Sequence, residues 1–284
     1  MSISHLIKLL ALFACSCIPA QAATLTWTGA NGGGNWYDAG NWDVNGPPSQ
    51  GTRLGTPLQT DIVIFDSTTA VGGYMPTQNI LVDSDWSSTE HLQPTLQVLN
   101  GTINFGSGDW WMYGGSSQGL IIGDGDTGTL AQVNSGHTNW TRHIDKGGPN
   151  RITIHADGTM NQTGSGNFQW SSNGGLDTQM ILNGGTFTSS REIRGMAGDA
   201  GDFVRFDAIG SSFTAEYGDG ATTNFLDLTA VNAEFGASFI NNTVGTMVAS
   251  DNGDGSFTVS VVPEPGSLAL LGIGSLMLGL RRRR

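Results

Sequence analysis

Leu99-Asn100-Gly101-Thr102-Ile103-Asn104-Phe105, LNGTINF, sets a turn-forming Asn-Gly pair ahead of a threonine and an apolar residue. The phrase returns as DTGTLAQV (Asp126 to Val133), ADGTMNQT (Ala156 to Thr163) and LNGGTFTS (Leu182 to Ser189), and GSSFTA around Phe213 continues it less clearly. Its threonines, Thr102, Thr129, Thr159 and Thr186, recur at a nearly even interval of roughly 30 residues, within the range of structural repeats. A period of that size is one coil of a parallel β-solenoid, whose coils bury their apolar faces only by stacking on neighbours. The spacing therefore predicts that Ile103, Leu130, Met160 and Phe187 stack. A β-sandwich or jelly roll is the alternative, because glycine-punctuated strands suit it as well.

Outward from these phrases, the chain keeps reading as strand. ITIH places Ile152 and Ile154 on one face, TLQVL does so with Leu96 and Val98, and FVRF alternates from Phe203. Lysine and glutamate are scarce while Gly, Thr, Asn and Ser interrupt every window, so helix is not expected in the body. Eight tryptophans and 12 phenylalanines are too many for a solvated coil. The class is all-β, with an amino-terminal signal helix and a short carboxyl-terminal hydrophobic helix at its two ends.

MSISHLIKLLALFACSCIPAQA has Lys8 ahead of an apolar stretch and closes on Ala20-Gln21-Ala22, the small-x-small pattern of a signal-peptidase site, so residues 1–22 read as a signal peptide and the mature chain starts at Ala23. A lipoprotein signal on Cys15 is the rival, and Phe13 fits it poorly. Both cysteines, Cys15 and Cys17, fall in this segment, which leaves the exported body without disulfide, thiol nucleophile or cysteine metal site. Setting aside Lys8 and the four terminal arginines leaves seven basic residues against 24 acidic, a balance of −17. Phosphate would be repelled, which excludes nucleic acid as a partner.

The other end is VPEPGSLALLGIGSLMLGLRRRR, from Val262 to Arg284. Its apolar run, Ser267 to Leu280, would span roughly 21 Å as a helix, against about 30 Å of hydrocarbon. That suits a transient stop better than a durable anchor. Arg281, Arg282, Arg283 and Arg284 would hold the end in the cytoplasm, and the prolines keep the preceding backbone extended and open to a protease.

Apparent catalytic motifs fail on context. GDGDTG (Gly123 to Gly128) has dinucleotide-site spacing, yet it runs into TLAQV rather than a helix, and Asp124 and Asp126 would repel phosphate. GSSQG around Ser117 lacks the helix a nucleophile elbow needs. His91, His137, His143 and His155 have no zinc spacing, and no metal or cofactor is expected. Asp124 with Asp126, and Asp251 with Asp254, could offer oxygens to calcium, but glycine and Asx turns explain the same residues. The one candidate binding feature is aromatic: Trp110, Trp140 and Trp170 recur at one even interval close to the proposed coil length, with Trp111 beside the first. Aligned on one face they could stack on sugar rings; filling the core is the simpler use of such rings.

LIIGDGDTGTLAQVNSG, together with WTGANGGGNWYDAGNWDVNGPPSQG and the DIVIF after it, resembles the passenger regions of autotransporter-type and related secreted β-helix proteins. The tail resembles the PEP-CTERM sorting signal, through Pro263, Glu264 and Pro265, the short apolar segment and the arginine cluster. That resemblance implies processing by the membrane enzyme exosortase in a bacterium with an outer membrane and an exopolysaccharide system. Three parts are expected: a signal peptide over 1–22, an extracellular β-rich body over 23–262 and a sorting segment over 263–284. The chain is then held briefly at the inner membrane and released to the cell surface or biofilm matrix. Its expected function is structural or adhesive, towards exopolysaccharide, and not enzymatic. The alternative is a secreted polysaccharide hydrolase or lyase on the same scaffold, with two carboxylates facing each other.

Overall fold

The computed structural model describes residues 24–32, 39–43, 62–69, 77–80, 95–105, 110–112, 119–126, 128–135, 138–140, 150–163, 168–169, 178–194, 201–218, 225–264 and 266. Residues 1–22, the apolar run and the arginine cluster lie outside them, and so do the two helices expected at the ends of the chain. Among the described residues no helix is long and apolar enough to cross a membrane.

The chain is all-β, and its strands close almost completely around one apolar interior. They pair in three ladders. The first joins β1 (Thr24–Thr26), β2 (Ile62–Asp66), the start of β4 (Thr95–Phe105), β6 (Leu120–Ile122), β9 (Asn150–His155), β12 (Thr178–Asn183), β14 (Phe203–Phe206) and β16 (Phe239–Asn241), always in parallel. The second runs in parallel through β3 (Thr77–Ile80), the end of β4, β7 (Ala131–Ser135), β10 (Gly158–Gln162), the start of β13 (Thr186–Arg194) and β15 (Ser212–Glu216). It is finished by two antiparallel pairings, β15 with β18 (Ser256–Val262) and β18 with β17 (Thr246–Asp251). The third joins β5 (Trp110–Met112), β8 (Thr138–Trp140), β11 (Phe168–Gln169) and the end of β13.

Alternation fixes which side chains fill the interior. In the second ladder Ile103, Val133, Met160, Phe187 and Phe213 stand in register, all fully buried. Three of the four residues expected to stack do so; Leu130 does not. It is 77% exposed, and Val133 takes its place. Likewise Gln132, not Thr129, stands between Thr102 and Thr159, so the repeat steps from Thr102 through Gln132, Thr159 and Thr186 to Ser212. The cause is a longer corner between β6 and β7, where residues 123–126 and 128–130 make a turn of their own. Between β9 and β10 and between β12 and β13 the corner is tight and only glycine fits it: a Cβ on Gly158 would collide with the Ile122 carbonyl oxygen, and one on Gly185 with that of His155.

Aromatic rings close the interior at both ends. Near the first strands Trp27 meets Trp42 edge-on at 5.0 Å, and Phe65 lies 5.8 Å from each. Towards the last strands Phe168, Phe187 and Phe213 succeed one another at 5.0 Å, and Phe225, Phe239 and Phe257 complete the cluster. The helix α1 (Leu228–Ala233), capped by the Asp227 carboxylate on the Ala230 N–H, buries Val231 against this end.

Candidate functional site

The segment with the clearest sequence signature leaves the body without a linker. Val262 still pairs with Thr246, and Pro263 and Glu264 follow it directly in exposed, non-strand backbone. Pro265, Arg281, Arg282, Arg283 and Arg284, like the residues of the expected signal cleavage, Ala20, Ala22 and Ala23, lie outside the described residues.

The tryptophans do not align as their spacing suggested. Trp110 is in register with Thr138 and Trp111 with Asn139, whereas Trp140 pairs with Met112. This pass of the chain is shorter than the interval between the tryptophans, so Trp140 falls beyond the register position of Trp110 along the strand. Trp170 lies outside the described residues.

The aspartates of the glycine-rich turns are used within the fold. Asp157, almost fully buried, accepts from the Gly125 N–H at 2.7 Å, the Asp124 N–H at 3.1 Å and the Thr129 hydroxyl at 3.1 Å. It thereby ties the GDGDTG turn to the next pass of the chain. Within that turn Asp124 accepts from the Asp126 N–H and Asp126 from the Gly128 N–H. In the β17–β18 turn Asp251 accepts from the Gly253 N–H, while Asp254 accepts from both the N–H and the hydroxyl of Ser256. Those bonds hold the Asp254 carboxyl below the usual carboxylate range. Among the described residues no cluster of His, Cys, Asp or Glu is disposed to hold a metal. On the first ladder Arg205 grips Asp207 through two bonds of 2.7 and 2.8 Å, and Asn242 donates to the same carboxylate at 3.1 Å. Burial raises the Asp207 pKa, but these bonds and the guanidinium charge outweigh it and leave the carboxyl lowered.

A feature not foreseen is the outer face of the second ladder. Residues flanking each buried position of the stack point outward, half-exposed: Thr102 and Asn104, then Gln132 and Asn134, then Thr159 and Asn161. Thr186 with Thr188 and Ser212 with Thr214 continue both rows, and β18 adds Ser260 and Thr258. The amides are locked to one another. Asn134 donates to the Asn104 Oδ1 at 2.6 Å, Asn161 to the Asn134 Oδ1 at 3.0 Å and Gln132 to that same oxygen at 2.8 Å; farther along, the Thr214 and Thr258 hydroxyls lie 2.9 Å apart. Rows sit about 4.8 Å apart across strands, with outward residues roughly 7 Å apart along each strand. The signal was present in TIN, QVN, TMN, TFT and SFT, the same phrases whose middle residues mark the core.

The all-β body thus passes at Val262 into exposed Pro263 and Glu264. Residues 261–284 match the PEP-CTERM protein-sorting motif. That motif implies an exported protein held transiently in the membrane, with exosortase as its processing partner. No curated protein and no solved structure matches the chain.

Proposed function

We propose that the chain is a structural or adhesive protein of the cell surface or exopolysaccharide matrix, non-enzymatic, with a parallel β-solenoid as its body. The observation that carries this reading is the exposed Pro263-Glu264 immediately after a fully paired β18, inside the matched sorting motif. A protease can reach this point without dismantling the fold. The parallel ladders, and the near-even repeat from Thr102 through Gln132, Thr159 and Thr186 to Ser212, support the solenoid. The use of Asp124, Asp126, Asp157, Asp251 and Asp254 as acceptors in turns supports a structural rather than catalytic part for them.

Mass spectrometry of the protein recovered from the cell surface tests the reading. The expected species runs from near Ala23 to near Pro263, without the arginines, and replacing Pro263 and Pro265 leaves the chain unprocessed at the inner membrane. A surface-exposed protein that still ends in four arginines refutes it.

A further inference from the structure

The outer face of the second ladder has a composition unlike the rest of the molecule. Its two rows cross seven strands, from Thr102 and Asn104 in β4 to Val248 and Ser250 in β17. Thirteen of these fourteen register positions carry Ser, Thr, Asn or Gln, the exception is Val248, and within the two rows none carries an ionisable group, the nearest acid on β15 being Glu216 just beyond them. The chain as a whole has 24 acidic residues, so this neutrality is local.

We propose that this face binds an extended, uncharged polysaccharide laid across the strands, along the ladder; the proposal rests on reading the body as an adhesive matrix protein. Charge matching selects the ligand class. An acidic polymer or a phosphate-rich surface is repelled by the net negative body, whereas a neutral one meets no charge that must be stripped of water. Chemistry selects it again, since hydroxyls and amides both donate and accept, as sugar hydroxyls do. The amides of Asn104, Asn134 and Asn161 are already held by their mutual hydrogen bonds, so little side-chain freedom remains to be lost on binding. Finally, a row recurring about every 4.8 Å presents like environments to the like units of a polymer, and many weak contacts add along its length.

Protein purified from the cell surface is tested by affinity electrophoresis in gels containing dextran and by sedimentation with cellulose, with alginate as the anionic comparison. Retention by a neutral polymer and none by alginate is expected. Placing charge on the face with Thr159→Glu and Thr186→Glu should abolish retention, while the Ser pair at these positions keeps it, with circular dichroism melting curves unchanged for both. Should the Glu pair fail to fold, Thr159→Val with Thr186→Val keeps the branched shape, removes two hydroxyls and is expected to bind about tenfold more weakly. Failure of both neutral polymers to retain the protein overturns the proposal, as does full retention of a folded Glu or Val pair, or complete loss on Trp140→Ala alone. The carboxyl-terminal mass of the same sample separates the two readings: a retained protein with an intact tail refutes sorting only, and a processed protein that is not retained refutes this face only.

Discussion

Asp157 shows how a single carboxylate replaces a stretch of strand. Where the β6–β7 corner lengthens, neighbouring passes lose ladder contact, and the three bonds to Asp157 restore it. Gly123 belongs to the same device: its φ of 79° and the close approach of the Asp157 Oδ1 leave no room for a side chain. Asp157→Ala strips three donors of a charged partner and should cost about 2–4 kcal/mol in urea unfolding, partly recovered by water. Tyr217 is the opposite case, a phenol whose buried oxygen has no hydrogen-bond partner. Burial raises its pKa, and the charges of Asp251 and Asp227 raise it further. The neutral phenol is therefore favoured in the folded state. Its contribution is intact below the ordinary value near 10 and is lost as pH rises from there through the folded-state value. Tyr217→Phe should leave the melting temperature at pH 7 equal or higher and flatten its fall above about pH 10.

Among the elements, the β17–β18 hairpin differs from all that precede it. Phe257 on β18 packs against Phe213 at 6.4 Å, Tyr217 at 5.3 Å and Phe225 at 5.6 Å, so this strand joins the hairpin to the last passes. Phe257→Ala should cost about 3–5 kcal/mol, measured by denaturant unfolding, because the surrounding rings cannot collapse fully into the space. Strands as such were legible: ITIH and TLQVL alternate as their burial does, and FVRF is a strand whose buried face starts at Val204 rather than Phe203. The switch to antiparallel pairing was not, since alternation is the same in either direction. Nor could spacing separate Thr129, in a turn, from Gln132, in a strand; GTL and AQV differ only in where Asp157, far along the chain, anchors the loop. Trp110 and Trp140 miss a common register position for a related reason: an equal interval in sequence means an equal position only where every corner has one length.

At the scale of the molecule, the all-β class and the sorting tail could be read from residues alone, because glycine-punctuated alternation and Pro-Glu-Pro before an apolar run are local patterns. The polar outer rows were written in the same phrases, yet they become one surface only once the register of the passes is known. One consequence concerns size. A column of like rungs has no natural length, since the edge of any rung can template another. Here the ladders stop at different heights: the second runs two strands past β15, the first ends at β16, and Phe225, Val231 and Phe235 pack over the interior between them. A second copy meeting this end finds no level platform to continue. The segment from Phe225 to Val262 thus leaves the two ladders ending out of step, which is expected to disfavour end-to-end growth by strand addition.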